Sequence, residues 1–163
     1  MNMTIRKQRR SGFSFVEAIF TIAIIGIMSS IVVAAISNAS RDAHRVMARQ
    51  QQASVQSALT AWVMAQMRVG STAQFRSLES VRTTYNGYAS SRLRFFKLLA
   101  PDPTSPDPSL RVGFVDQTTA DQFTDYTTND NQLQTASLYN AQQYLSLPDW
   151  QSGDFPHVDL VNQ

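Results

Sequence analysis

The sequence predicts an α+β fold in which a long amino-terminal helix packs against a small antiparallel sheet. The helix is predicted by residues 13–36, an apolar run of 24 residues in which Glu17 is the only ionisable side chain. The lack of proline in the first 100 residues supports it. The sheet is predicted by the stretches 92–99 and 110–115, where apolar residues alternate with polar or basic ones.

The first 12 residues form a short basic leader ahead of the apolar run. They contain no acidic side chain and four cationic ones, Arg6, Lys7, Arg9 and Arg10. Because clustered Lys and Arg beside an apolar span stay in the cytoplasm, the leader predicts a cytoplasmic amino terminus and an exported remainder. Three arginines after the run weaken this bias, but the upstream cluster is denser: Arg41, Arg45 and Arg49.

The apolar run is long enough to cross a membrane. At about 1.5 Å per residue, a helix over residues 13–36 is about 36 Å long, against a bilayer core of about 30 Å. Glu17 lies near its start, and a bare carboxylate in hydrocarbon costs on the order of a few kcal/mol unless it is paired. No cation within the run can pair with Glu17, so this residue is expected to have a partner elsewhere or a function.

The residues around this carboxylate follow a known pattern. A basic leader ends at Gly12, Phe13 follows, Glu17 is the fifth residue after the glycine, and an Ile-Ile-Gly step comes at residues 24–26. This arrangement resembles the amino terminus of type IV pilins and of the pseudopilins of type II secretion. The resemblance implies that a prepilin peptidase cuts between Gly12 and Phe13 and N-methylates Phe13. It also implies assembly with other pilin or pseudopilin subunits at an inner-membrane assembly platform.

The same resemblance gives Glu17 a physical role. Cleavage before Phe13 creates an α-ammonium group four residues from Glu17, and in a filament the ammonium of one subunit can pair with the carboxylate of its neighbour. A neighbour out of register leaves both charges bare, so Glu17 is expected to set the assembly register and not to act in catalysis. Ala34 stands where many major pilins have a proline that bends the helix, which favours a minor pilin or a pseudopilin.

Beyond the apolar run the helix is predicted to continue as an amphipathic segment, residues 37–69, and to stop at Gly70 and Ser71. An apolar stripe recurs there at helical spacing, formed by Val55, Leu59, Trp62, Val63 and Met67. A coiled-coil seam is an alternative interpretation, but the stripe lasts only about two heptads. The stripe is therefore interpreted as the helix face that packs in the core of the head.

Residues 70–163 are predicted to form a globular exported head with one modest core. Apolar spacing over residues 75–81 indicates a short helix. The stretches 92–99 and 110–115 are expected to pair as an antiparallel hairpin, joined by the proline-rich segment 101–108.

The last third of the chain is polar and acidic. Residues 133–147 fit neither the helical nor the strand period, whereas residues 155–161 alternate loosely and suggest an edge strand. From Pro101 onward there are nine aspartates against the single Arg111. Because the exported end is acidic, we predict no binding to nucleic acid.

No pattern indicates an enzyme or a cofactor. The chain has no cysteine, which excludes disulfides and thiolate sites, and its two histidines, His44 and His157, are far apart in sequence. Acidic side chains recur in the head at Asp102, Asp107, Asp121, Asp125 and Asp130. A calcium-binding loop is the alternative there, but the spacing matches no EF-hand. We therefore expect solvated carboxylates, with no catalytic residue, metal or cofactor.

Two other interpretations of the apolar run are open. An ordinary signal peptide is one, because Ser37-Asn38-Ala39 is a small-x-small site, although the run exceeds the usual length of about 7–15 apolar residues. An anchor for an exported binding or enzymatic domain is the other, and it predicts that Glu17 is dispensable. The preferred interpretation is a single-pass protein of the bacterial inner membrane with its head in the periplasm or on a surface filament.

Overall fold

The computed structural model describes residues 13–69, 74–102, 104, 106 and 111–163. Three predicted features lie wholly or partly outside the described residues: the leader with Gly12, the helix stop at Gly70 and Ser71, and half of the proline-rich segment. The chain divides into two compact units, one that reaches Ser40 and a second formed by Arg41–Gln163.

One helix, α1 (Phe15–Met67), contains both the apolar run and the amphipathic segment. It has no proline, and its single glycine, Gly26, has open space around it. In the second unit α1 contributes the predicted stripe to the core: Val55, Leu59, Trp62 and Val63 are buried, and Met67 packs against them. The interpretation of this stripe as a core face is confirmed.

After α1 the described residues form four short helices and two small antiparallel sheets. The sheets pair β1 (Arg68–Val69) with β2 (Gln74–Phe75), and β3 (Gln143–Ser146) with β4 (Asp159–Asn162). The helices are α2 (Leu78–Asn86), α3 (Ser91–Arg94), α4 (Gln117–Tyr126) and α5 (Ala136–Asn140), and a π-helical turn (Phe95–Leu99) continues α3. The predicted class, a long amino-terminal helix with a small antiparallel sheet, is confirmed.

The predicted strand at residues 92–99 is wrong, because this stretch forms α3 and the π-helical turn. The Ser90 side chain caps α3 by accepting a hydrogen bond of 3.2 Å from the Leu93 amide. Burial follows a helical period: Phe95 and Leu99 are fully buried, Arg94 is 3% exposed and Leu93 is 42% exposed. In a strand with its apolar face inward, Leu93 would be buried and Arg94 would be exposed.

The second predicted strand of that hairpin is also wrong over its described part, residues 111–115, which form bends. Here the chain passes against the backbone of residues 99–101, so closely that a Cβ on Gly113 would lie 2.3 Å from the Pro101 nitrogen. The amides of Phe114 and Val115 both donate to the Leu99 carbonyl, at 2.7 and 3.0 Å. Because both amides donate to the same carbonyl, they hold the chain in a bend. Paired strands would instead form a ladder of bonds to successive residues.

Two of the remaining local predictions give the right type of element but different bounds, and one ambiguous stretch is resolved. The short helix expected over residues 75–81 is α2, which begins at Leu78 because the Ser77 side chain accepts from the Ser80 amide at 3.3 Å. The ambiguous stretch 133–147 contains both a helix and a strand, α5 and β3. The edge strand expected over residues 155–161 is β4, and it begins only at Asp159.

Residues 156–158 are held by glutamine side chains of α1 and not by a second strand. The Gln56 amide donates to the Pro156 carbonyl at 3.1 Å and accepts from the Val158 amide at 2.8 Å. Gln52 donates to the Val158 carbonyl at 2.8 Å. These bonds satisfy the backbone groups that a neighbouring strand would otherwise satisfy, so the carboxy-terminal segment is fixed to α1 without a disulfide.

A buried arginine joins three segments of the head. Arg94 donates through Nε to the Tyr88 carbonyl at 2.8 Å and through Nη1 to the Leu147 carbonyl at 2.6 Å. Its Nη2 forms an ion pair with the Asp149 carboxylate, whose side chain is exposed. The guanidinium also lies 4.9 Å from the centre of the Tyr85 ring, within the range of a cation–π contact.

Tyr85 is fully buried between the rings of Trp62 and Trp150, with ring centres 6.1 and 6.2 Å away. Burial raises the pKa of the Tyr85 hydroxyl to about 12, although the nearby Arg94 guanidinium opposes the shift. The folded state therefore binds the hydroxyl proton of Tyr85 more tightly than the unfolded state does. The stability that this proton contributes is complete below pH 10 and is lost as the pH rises through 12.

Candidate assembly site at the amino-terminal helix

The candidate site lies where α1 begins. Phe13 and Ser14 precede the helix, and the first backbone bond of this region joins the Ala18 amide to the Ser14 carbonyl at 3.1 Å. Glu17 occupies the first turn, and its side chain is exposed, as is that of Phe13. The structure therefore places both predicted site residues on one short, accessible segment, four residues apart.

The surface around Glu17 is apolar and uncovered. Every large apolar side chain between Phe13 and Ile36 is more than half exposed. Soluble monomers rarely expose an apolar patch of more than a few hundred Å². Among the described residues, α1 is the one helix long and apolar enough to cross a membrane, and its most apolar window is not buried at all.

Two hydroxyl groups in this segment are satisfied by the helix itself. Thr21 Oγ1 donates to the Glu17 carbonyl at 2.8 Å, and Ser30 Oγ donates to the Ile27 carbonyl at 2.7 Å. Such bonds to a preceding turn let a polar side chain remain in an apolar setting. The Glu17 carboxylate has no equivalent: within the described part of the chain it forms neither a hydrogen bond nor an ion pair.

A helix terminus alone does not explain this carboxylate. A negative charge in the first turn is favoured by the helix dipole, by about 0.3–1 kcal/mol at an exposed position. A bare carboxylate in hydrocarbon costs on the order of 3 kcal/mol by insertion scales. The second value exceeds the first, so the helix dipole alone does not offset the cost of placing the Glu17 carboxylate in a membrane.

The head shows no comparable site in the described residues. No group of three or more His, Cys, Asp or Glu side chains is placed to hold a metal ion among them. Of the two histidines, His44 is half-buried on α1, whereas His157 is exposed and lies 3.4 Å from the Asp159 carboxylate. Asp107 lies outside the described residues.

Several structural residues of the head were not predicted from the sequence. Asn86 is one: its amide donates to the Trp150 carbonyl at 3.0 Å and accepts from the Trp150 amide at 2.9 Å. Arg94 and Gln56 are others. The local signal for the role of Arg94 was its position, with two other basic residues, inside the apolar stretch 92–99.

An exposed apolar helix with one unpaired carboxylate, followed by a small α+β head, fits a protein that is anchored in a membrane by its amino terminus. Residues 7–33 match the family model described as the prokaryotic N-terminal methylation motif. This is the motif of type IV prepilins and pseudopilins, so the chain carries the prepilin motif that the sequence predicted. No curated protein and no solved structure matched the chain.

Proposed function

We propose that the chain is a structural subunit, a minor pilin or a pseudopilin, of a type IV pilus or a type II secretion filament. A prepilin peptidase cleaves it between Gly12 and Phe13 and methylates Phe13, and the mature chain assembles through α1 while the head is exported. The methylation motif at residues 7–33 is the observation that carries this proposal. The exposed apolar half of α1 supports it, because such a surface needs lipid or other helices around it.

Glu17 sets the register between neighbouring subunits of the assembly. Cleavage at Gly12 creates an α-ammonium on Phe13, and this cation on one subunit neutralises the Glu17 carboxylate of its neighbour. Neutralising two charges in a medium of low dielectric is favourable only when both are present at the same depth. The unpaired Glu17 carboxylate and the exposed Phe13 support this role.

A minor role in the filament is preferred over that of the main fibre subunit. Ala34 lies within α1, which continues without interruption through the position where many major pilins have a proline. The head also lacks the disulfide with which many pilins close their carboxy-terminal segment. In its place, Gln52 and Gln56 fix that segment to α1.

The proposal is tested by expressing the chain with a carboxy-terminal tag in a bacterium that has its own filament, with and without an active prepilin peptidase. We expect a mass loss equal to the leader, and recovery of the tag with sheared filaments, only where the peptidase is present. The Gly12→Leu variant should remain uncleaved in both strains. A chain that stays full-length in the membrane fraction of both strains would instead indicate an anchored domain that does not assemble.

A further inference from the structure

The second unit contains a polar recess of about 340 Å³ beside the membrane-proximal part of α1. Two arginines one helical turn apart form one wall, and the end of α5 with the two residues after it forms the other. The recess is lined by Arg41, Arg45, Tyr139, Asn140, Ala141 and Gln142. None of these six is acidic, so the recess combines two cations with neutral hydrogen-bonding groups.

The arginines of this recess are available to a ligand. Arg41 forms no hydrogen bond or ion pair with any other described residue. Arg45 lies 3.8 Å from the Asp42 carboxylate, but both side chains are mostly exposed, and an exposed pair of this kind is weak. His44 is half-buried on the same turn, and Arg49 adds a further exposed cation one turn on. The local charge is therefore positive even with Asp42 included.

The position of these arginines along α1 indicates what they meet. Arg41 and Arg45 follow Ile36, the last residue of the apolar run, by five and nine residues. At about 1.5 Å per residue they come roughly 7 and 13 Å after it. The headgroup layer is about 5–8 Å thick on each side of the hydrocarbon core, and long arginine side chains reach back toward it. Tyr139, at 61% exposure, is an aromatic of the kind that lies at this level.

Cations on the exported side of a membrane span oppose the usual charge bias, so their presence there calls for a compensating role. We propose that Arg41 and Arg45 bind the phosphate of an anionic phospholipid headgroup in the leaflet that faces the head. The guanidinium fork matches phosphate oxygens in pairs, and Tyr139 and Asn140 add neutral hydrogen-bonding groups to the recess. This inference depends on the membrane insertion and the exported head of the proposed function.

The test uses the full chain in detergent micelles, mixed with equal amounts of phosphatidylglycerol and phosphatidylcholine of the same acyl chains. Native mass spectrometry counts the lipids retained by the protein. We expect the wild type to retain phosphatidylglycerol in preference to phosphatidylcholine. In the Arg41→Gln/Arg45→Gln variant this preference should be at least tenfold lower, because each arginine near an anionic surface raises the affinity about fivefold. The control Arg68→Gln/Arg76→Gln removes two exposed cations from elsewhere in the second unit and should keep the preference.

Three outcomes overturn the proposal. One is an equal preference in the wild type and the Arg41→Gln/Arg45→Gln variant, and another is an equal loss in the control, which would indicate unspecific attraction. The third is release of the lipid by millimolar inorganic phosphate, which would assign the recess to a free anion. Alkaline carbonate extraction of the same variants from cells checks insertion separately. A wild-type chain extracted by carbonate would refute the membrane anchoring itself, whatever the recess binds.

Discussion

Replacing Glu17 with leucine is expected to leave the chain in the membrane but to exclude it from the filament. The substitution removes an unpaired carboxylate, so insertion of α1 becomes easier by a few kcal/mol. Assembly becomes harder, because the α-ammonium of the neighbouring Phe13 then lies in hydrocarbon without an anion. Leaving one member of a buried pair bare costs about 3–5 kcal/mol, which corresponds to at least a 100-fold fall in recovery of the chain with sheared filaments.

Two further variants at this position, and one control on α2, separate charge from shape. Glu17→Gln keeps the size of the side chain and loses the charge, so it should fail like Glu17→Leu. Glu17→Asp keeps the charge and should retain part of the assembly. Glu79→Leu makes the same change at an exposed carboxylate on α2 and should assemble like the wild type. Equal filament recovery for Glu17→Leu and the wild type would show that α1 serves only as an anchor.

Replacing Arg94 with leucine is expected to destabilise the head by about 3 kcal/mol. The Tyr88 carbonyl would lose its donor inside the protein, and the Leu147 carbonyl would keep only the longer bond of 3.4 Å from the Ser91 hydroxyl. A buried polar group without its partner costs about 1–3 kcal/mol. The ion pair with Asp149 contributes less to this value, because that carboxylate is exposed and regains water when the pair is broken.

Urea unfolding of the full chain in detergent, followed by tryptophan fluorescence, measures this effect. Trp62 and Trp150 report directly, because both contact the Tyr85 ring beneath the guanidinium. Arg92→Leu is the matched control. This neighbour is half-buried, with 43% of its side chain exposed, and lies 3.5 Å from the exposed Asp130 carboxylate, so its loss should change the free energy of unfolding by about 1 kcal/mol or less. Equal unfolding midpoints for the Arg94 and Arg92 variants would contradict the buried network.

The helix and the prepilin motif were predictable because their signals are local. An apolar run without proline, a stripe at helical spacing and a carboxylate five residues after Gly12 are each contained in a short stretch of sequence. The strand at residues 92–99 was predicted wrongly because cationic side chains alternate there with apolar ones, and alternation normally marks a half-buried strand. Arg94 broke that rule, since its charge is satisfied by Leu147 and Asp149, more than 50 residues away.

The carboxy-terminal part and the arginine recess could not be predicted from the sequence for the same reason. Residues 156–158 are paired with side chains of α1 about 100 residues earlier, and no local period marks such bonds. Arg41 and Tyr139 are also about 100 residues apart in sequence, and they line one recess only in the folded second unit. Local patterns predict elements, whereas these contacts depend on how the elements are packed together.

The mature amino terminus of the protein, isolated from cells that make its filament, provides the most direct test of the proposed role of Glu17. Mass spectrometry of the intact chain and of its first peptide should show residues 13–163, with Phe13 at the terminus and one methyl group on its nitrogen. That terminus is the cation that Glu17 needs. A chain that still begins at Met1, or that begins beyond the apolar run near Arg41, would lack this cation and contradict the pairing.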